Sequence, residues 1–519
     1  MRTWRTVLGS SLGWFVVTAT GTLTILLVLG WPALRIEYYF DEMWRIDMIR
    51  DSNPFARAQL HDTPIAPGWL GVMHVVASIV PTSRALMRFV ALVPAVIGVT
   101  FLGDVLRSVV RRPGVDARAA AVIAGLSTWL VCMLPGFTGQ RLYFNNYGTE
   151  VLVAGLLVWA VHRLDTSDRS AVLLVVVIAL APWLTMGALL LVPYCLWVVW
   201  RHRATVLARC RTWGVAAAGV VALSGLLTAY FGFYRPVSAG GTVADFWRRD
   251  SLEDNSVGSF LRQYGERARD ALVPGRQLDA NVVVTVLAIV ALGVGVVVVA
   301  RRWPAYLWLV LSAQLLALLV SVTTGWPATL VRLNQPFLVP LALLVPLGFL
   351  SALHALAMRW RVSWWGQVAG LAASSALVAV AVWPVELSDD FADPAVFARG
   401  FTADLGEIGP LMGERAIVVA YHPMSHWYVD DALVHDGPPG DVVILREELD
   451  DESLFTDLDA ALAQVWTPGT DVWCVIPFES GPDDTAAACK FDTSGFEKVF
   501  EGRTRRATVI GYRPTDSAD

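Results

Sequence analysis

Two adjacent carboxylates, Asp41 and Glu42, follow the first long hydrophobic run of the chain, within the aromatic segment Glu37–Trp44. An ionised carboxylate is costly to hold beside hydrocarbon, so acidic residues at the mouth of a membrane helix indicate a function. Two chemistries are open to such a group. It removes a proton from a reacting hydroxyl as a general base, or it ligates a divalent cation such as Mg²⁺ or Mn²⁺ through its oxygens.

Other polar residues near predicted helix ends add to this set. Glu150 lies inside a hydrophobic run, where we expect its carboxylate to face a cavity and to pair with Arg141 or with a metal ion. His61 is expected to orient the molecule that carries the reacting hydroxyl or to assist as a base. The alternative is that His61 is a solvated loop residue. Asp47 and Asp51 fit the solvated face of an interfacial helix better than a catalytic role.

The elements that must position these residues are membrane helices. The chain is 55% hydrophobic and 16% charged, whereas soluble domains carry about 25% charged residues. Several apolar runs reach the ~20 residues that cross a bilayer. The sequence therefore predicts a polytopic α-helical membrane protein with about 11 transmembrane helices. The predicted spans are 8–32, 85–107, 118–136, 148–164, 170–187, 188–200, 213–234, 281–300, 304–323, 329–350 and 366–384.

Arginine clusters alternate with acidic or uncharged loops between these spans. The positive-inside rule puts the clusters, and with them the N-terminus, in the cytoplasm. The loops at 33–84, 137–147, 235–280 and 324–328 then lie outside, as does the C-terminal tail. The apolar stretch Gly68–Val80 is too short to cross, so we expect a re-entrant or surface-lying helix on the outer side. The clusters are Arg107/Arg111/Arg112/Arg118, Arg163/Arg169, Arg201/Arg203/Arg209/Arg211, Arg301/Arg302 and Arg359/Arg361.

The last part of the chain has a different composition. Residues 385–519 hold 27 acidic against 9 basic residues, whereas the preceding part is basic. We predict two domains, residues 1–385 in the membrane and residues 386–519 as an extracytoplasmic α/β domain. The predicted strands are the apolar runs 416–420, 441–445 and 471–476, with helical patterns at 450–465 and 482–489. No glycine-rich phosphate motif follows these runs, and Cys474 and Cys489 are candidates for a disulfide.

The acidic motif Phe40-Asp41-Glu42, followed by a predicted surface helix, resembles that of GT-C fold glycosyltransferases. These include protein O-mannosyltransferases, aminoarabinose transferases of lipid A and related actinobacterial enzymes. Four later stretches are similar to motifs of the same family: His61–His74 to a proline turn and short helix ending in His, Arg84–Phe89 to the entry of the second span, Gln140–Tyr143 to a Q-x-R-x-Y stretch, and Arg332 with Pro336 and Pro340 to a late helix. The resemblance covers roughly residues 10–350.

This resemblance implies a polyprenyl-phosphate sugar donor and an inverting transfer to an acceptor outside the cytoplasm. It implies that Asp41 is the catalytic carboxylate and that Glu42 supports it. Some relatives place a lysine on the lipid phosphate where this chain has Thr63. Phosphate contact would then fall to Arg141 and Arg332, whose alternative role is interfacial anchoring.

The expected partners are therefore a lipid-linked sugar donor, a glycan, lipid or protein acceptor, and the bilayer of the plasma membrane, with no nucleic acid. Glu150 and Tyr143 are expected among the substrate-binding residues. Two other functions stay open. A transporter or flippase of lipid-linked sugars would place ionisable groups near the bilayer midplane, and a non-catalytic scaffold with a partner-binding acidic tail would leave Asp41 and Glu42 unexplained.

Overall fold

The chain forms two compact units. The first, here called the helical unit, comprises Met1–Leu34 and Ser52–Asp390, and the second, the sheet unit, comprises Arg35–Asp51 and Phe391–Asp519. The computed structural model describes residues 11–29, 40–60, 65–80, 83–111, 116–133, 144–167, 170–235, 256–259, 261–263, 265, 282–324, 331–378, 411–420, 441–446, 458–477, 491–503 and 507–515.

Helices make up most of the described structure. A 3₁₀ turn at Gly187–Leu191 precedes α9, and a π-helical turn at Tyr230–Tyr234 follows α10. In chain order the helices are α1 (Ser11–Leu29), α2 (Phe40–Arg50), α3 (Pro54–Leu60), α4 (Pro67–Ile79), α5 (Arg84–Val110), α6 (Ala117–Val131), α7 (Tyr147–Ser167), α8 (Ala171–Leu184), α9 (Val192–Arg201), α10 (Arg203–Ala229), α11 (Val282–Ala300), α12 (Ala305–Thr324), α13 (Val331–Ala342), α14 (Leu344–Arg359) and α15 (364–378).

Each predicted span overlaps helical structure within the described residues. Four helical stretches are long and apolar enough to cross a bilayer, namely Ser11–Val28, Ala85–Val110, Arg203–Phe233 and Leu338–Arg359. The stretch expected to be re-entrant is the 13-residue helix α4. The number of crossings and their direction stay predictions.

Two predicted spans differ in detail from the helices. Helix α10 begins at Arg203, ten residues before the predicted span 213–234, but its backbone is non-helical at Arg211, so the helix that follows this kink begins close to the predicted boundary. The predicted span 329–350 is divided into α13 and α14. Proline explains this division, because Pro346 lacks the N–H that would bond to the carbonyl of Ala342.

The core of the helical unit is built on very close helix pairs. A Cβ added at Gly98 of α5 would collide with the carbonyl oxygen of Val151, and one added at Gly155 of α7 would collide with that of Gly98. Small residues allow such approach between membrane helices. Helix α5 is therefore central, because most of its apolar stretch is buried inside the protein. Most of the apolar stretch of α10 is exposed.

One end of the helical unit is closed by a buried cluster of charges. Asp104 of α5 is ion-paired with Arg107 at 2.7 Å and with Arg163 of α7 at 2.9 Å. It also accepts a hydrogen bond from the indole of Trp159 at 3.0 Å. Arg107 in turn donates to the hydroxyl of Ser11 at 3.1 Å. The ends of α5 and α7 and the start of α1 therefore meet.

A second polar contact extends this end of the unit. Asp165 of α7 lies 3.1 Å from Nε2 of His202, which joins α9 to α10. It also accepts a hydrogen bond at 2.9 Å from the indole of Trp303, just before α12. Four of the five arginine clusters flank helix ends that these two groups of contacts join. The structure thus brings these four clusters to one end of the helical unit.

The sheet unit contains a five-stranded sheet. Its strand order is β2-β1-β3-β5-β4, with β1 parallel to β2 and β3, and with β5 antiparallel to β3 and β4. The three runs predicted as strands form β1, β2 and β3, and α16 lies within the predicted 450–465 helix. The elements are β1 (Arg415–Ala420), β2 (Asp441–Arg446), α16 (Leu458–Val465), β3 (Asp471–Pro477), β4 (Phe496–Arg503) and β5 (Ala507–Pro514).

Asp471 of β3 connects separate parts of the sheet unit. Asp471, 2% exposed, receives two hydrogen bonds from the guanidinium of Arg513 at 3.2 and 2.9 Å and one from the amide of Gly413 at 2.9 Å. The hydrogen bonding to the Asp471 carboxylate raises the pKa of Arg513 above its usual value. Cys474 of β3 is disulfide-bonded. Cys489 and the predicted helix at 482–489 lie outside the described residues.

Candidate functional site

Helix α2 carries the two adjacent carboxylates Asp41 and Glu42. Asp41 lies in its first turn, where the helix dipole favours negative charge. Its side chain lies outside the described part of the structure. Glu42 is fully buried at 0% exposure, and Arg45 is buried at 9%. Residues three apart in a helix share a face, so Glu42 and Arg45 lie on one buried stripe that continues through Ile49.

Glu150 is held at the start of α7 by the connection between α8 and α9. Its carboxylate accepts hydrogen bonds from the hydroxyl of Thr185 and from the amides of Met186 at 2.8 Å and Ala188 at 2.9 Å. Thr185 also accepts from the amide of Ala188 at 3.1 Å. An ionised carboxylate has about four acceptor sites, so these donors occupy most of them. The buried carboxylate therefore fastens α7 to the α8–α9 turn.

The residues just before Glu150 shape the start of α7. The side chain of Asn145 accepts a hydrogen bond from the amide of Tyr147 at 2.9 Å. The carbonyl of Asn146 accepts from the amides of Thr149 and Glu150. Both asparagines are buried, and the side chain of Asn145 satisfies one of the amides at the start of the helix.

Helix α4 packs against the same end of the helical unit. Pro67 starts it, which is the favoured position for a residue without an N–H. The ring of Trp69, 2% exposed, lies 5.6 Å from the ring of Phe144. A Cβ added at Gly68 would lie 2.7 Å from the carbonyl oxygen of Trp183. The predicted short helix therefore lies beside α8 and the residues that precede α7.

Helix α3 contacts the irregular end of α10. The amide of Gln59 donates to the carbonyl of Gly232 at 3.1 Å, and the rings of Phe55 and Phe233 are 6.4 Å apart. A π-helical turn leaves carbonyls without their regular partners and is frequent at functional sites. The Gln59 amide satisfies one of these carbonyls, so α3 and α10 are joined at this point.

The remaining sequence-predicted residues are placed as follows. Arg332 is the second residue of α13, and its side chain lies outside the described part. His61, Arg141 and Tyr143 also lie outside the described residues. Across the residues that the structure does describe, there is no group of three His, Cys, Asp or Glu side chains that could hold a metal ion.

Two side chains of this region received no functional role from the sequence. Thr185 is fully buried and bonds to Glu150, although 35 positions separate them. Its only sequence signal is a polar residue between two apolar runs. Arg88 of α5 is also fully buried. Buried guanidinium groups are almost always paired, and Arg88 has an interaction partner in this structure.

Comparison with known proteins identifies the fold. No protein-family model matches the chain, and no curated protein matches it. Among solved structures, ArnT from Cupriavidus metallidurans bound to undecaprenyl phosphate matches it with a TM-score of 0.54 and 15% sequence identity. The match covers 97% of this chain and 98% of ArnT. The chain therefore has the GT-C fold that the sequence motifs predicted.

Proposed function

We propose that this chain is a membrane glycosyltransferase that moves a sugar from a polyprenyl-phosphate donor to an acceptor outside the cytoplasm. The observation that carries the proposal is the match over nearly the whole chain to ArnT, whose structure holds undecaprenyl phosphate. The apolar helices that are able to span a bilayer support a multi-pass membrane protein. A long lipid-linked donor requires a site at the membrane surface, which agrees with the position of Asp41 and Glu42 after the first span.

The proposed chemistry is an inverting displacement at the anomeric carbon of the sugar. Asp41 takes the proton of the acceptor hydroxyl while the oxygen of that hydroxyl forms a bond to the anomeric carbon. The bond between the carbon and the phosphate oxygen breaks, and the polyprenyl phosphate leaves with the electron pair. Arg141 and Arg332 neutralise the charge that develops on the phosphate. His61, Tyr143 and the region around Glu150 orient the substrates.

A divalent cation fits this proposal under one condition. Carboxylate oxygens are the ligands that Mg²⁺ and Mn²⁺ prefer, and Mg²⁺ is commonly held by one or two carboxylates together with substrate phosphate. Asp41 and Glu42 would supply those carboxylates, and the cation would stabilise negative charge on the phosphate. Because Mg²⁺ usually takes part of its coordination from substrate phosphates and waters, the ion would depend on the donor for some of its ligands.

The proposed topology has a cytoplasmic N-terminus and an extracytoplasmic tail, with residues 1–385 as the membrane domain and 386–519 as the soluble domain. Two observations support it. The contacts of Asp104 and Asp165 gather arginine-rich helix ends at one end of the helical unit, as the positive-inside rule requires of a cytoplasmic face. Cys474 is disulfide-bonded, which is typical of oxidising compartments.

A transfer assay in membranes tests this function. Wild type and Asp41→Asn are compared on a panel of radiolabelled polyprenyl-phosphate sugars, with and without a chelator and added Mg²⁺ or Mn²⁺. Asp47→Asn, the same change on the same helix, is the matched control. We expect transfer of one donor sugar by wild type and by the control, and a loss of at least about 100-fold in Asp41→Asn, the scale of a missing general base.

Three outcomes would count against the proposal. Full activity of Asp41→Asn would remove the assigned base. Absence of turnover for every donor would remove the transferase class. Movement of intact donor across sealed vesicles, without release of polyprenyl phosphate, would instead identify a flippase.

A further inference from the structure

The junction of α9 and α10 has an unusual backbone. Helix α10 starts at Arg203, two residues after α9 ends, and it is interrupted at Arg211, whose φ is 59° and ψ is 160°. A residue other than glycine with positive φ is uncommon. The interruption separates a short segment, residues 203–210, from the apolar remainder of α10. We call this segment the basic helix.

The basic helix lies in a strongly one-sided charge environment. Residues 169–244 contain six arginines and no aspartate or glutamate. Four of these arginines, at positions 201, 203, 209 and 211, flank or belong to the basic helix, and all four are exposed. Within the helix Val206 is buried, at 1% exposure, and fixes it to the helical unit. The remaining surface is therefore cationic and open.

Exposed tryptophans frame this cationic surface. Trp197, Trp200 and Trp213 are 50%, 68% and 69% exposed. The guanidinium of Arg201 lies 5.8 Å from the ring centre of Trp197, and that of Arg203 lies 5.1 Å from that of Trp200. Tryptophan is enriched where hydrocarbon meets headgroups. These rings thus place the arginines at headgroup depth, with the apolar part of α10 continuing into the membrane.

We propose that the basic helix, with Arg201 and Arg211, is a binding surface for the anionic headgroups of phospholipids in the leaflet that it faces. The guanidinium fork matches phosphate oxygens in pairs. Each arginine near an anionic membrane surface strengthens binding about fivefold. The surface is separate from the transferase chemistry, so it stands or falls independently of the proposed function.

The experiment measures which lipids remain bound to the full-length protein. Wild type and the variant Arg203→Gln/Arg209→Gln/Arg211→Gln are reconstituted in nanodiscs of phosphatidylcholine with a minor fraction of phosphatidylglycerol. The ratio of bound lipids is then read by native mass spectrometry in mild detergent. Arg111→Gln/Arg118→Gln/Arg302→Gln is the matched control, because it removes three exposed arginines predicted to lie on the same side.

We expect wild type and the control to retain phosphatidylglycerol preferentially. The preference should fall at least tenfold in the basic-helix variant, and high salt should weaken it in wild type. A variant that keeps its preference, or a control that loses as much, would overturn the proposal. If the triple glutamine variant does not fold, Arg203→Gln/Arg209→Gln replaces it. This form lacks two of the four arginines of the surface, so the preference must still fall severalfold, and a preference kept in full overturns the proposal.

Discussion

Glu150→Gln tests whether the buried carboxylate fastens α7 to the α8–α9 turn. In the native protein one carboxylate oxygen accepts from Thr185 and Ala188, and the other accepts from Met186. Glutamine keeps the shape but replaces one of these oxygens with an NH₂ group. Whichever way the glutamine amide is turned, its NH₂ group then faces at least one of the donors of Thr185, Met186 and Ala188.

The magnitude follows from these contacts. A buried donor left without an acceptor costs about 1–3 kcal/mol, and each bond that loses its charged acceptor weakens by about 1 kcal/mol. Glu150→Gln should therefore destabilise the helical unit by about 3–5 kcal/mol. For a unit of this size the melting temperature should fall on the order of 5 °C.

The assay is thermal unfolding of the full-length protein in detergent, together with the transfer assay at a temperature at which both forms are folded. Thr185→Val removes one donor and should cost about 1–2 kcal/mol, whereas Thr185→Ser keeps the hydroxyl and should remain close to wild type. The double variant of Glu150 and Thr185 should cost less than the sum of the single variants, because the two share one bond.

An unchanged melting temperature for Glu150→Gln would refute the reasoning. It would mean that these hydrogen bonds add nothing to the stability of the helical unit. Lost transfer at unchanged stability would instead assign Glu150 to the substrate, as the sequence prediction has it. A parallel loss of both would assign it a fastening role.

Three further predictions concern stability. Asp471→Asn should weaken the sheet unit by about 2–3 kcal/mol, because Arg513 loses a charged partner, and faster hydrogen exchange in β3 and β5 of the full chain would show it. Gly98→Ala should lower the melting temperature, since a methyl group there meets backbone, whereas Gly293→Ala, with nothing within 4 Å, should not. Asp104→Asn should destabilise the helical unit by about 3–5 kcal/mol, because it leaves two arginines without their carboxylate; unchanged denaturation curves would contradict it.

Hydropathy and charge predicted the helical part of the fold well for a simple reason. A membrane helix needs a long run of apolar residues, and such a run is a local property. The division between α13 and α14 was missed, because the composition stays apolar across Leu343 while Pro346 removes one backbone hydrogen-bond donor.

Contacts between segments that are far apart in the sequence could not be predicted from hydropathy and charge. The bond between Glu150 and Thr185 joins two helices, and no periodicity connects the two positions. The same holds for Asp104 and Arg163, which are 59 positions apart. The sequence singled out Glu150 and the arginine cluster that contains Arg163, but neither Thr185 nor Asp104. Their partners became known only when the helices were placed side by side.

The burial of Glu42 bears on how the two adjacent carboxylates divide their roles. A carboxylate at 0% exposure is tolerated only if it is paired or hydrogen-bonded. The stripe that it shares with Arg45 and Ile49 is the face by which α2 packs. A group held in this way is suited to fix the direction of the helix and, through it, of its neighbour. Proton transfer requires access to the acceptor hydroxyl, so the proposed base remains Asp41, with Glu42 as the residue that positions it.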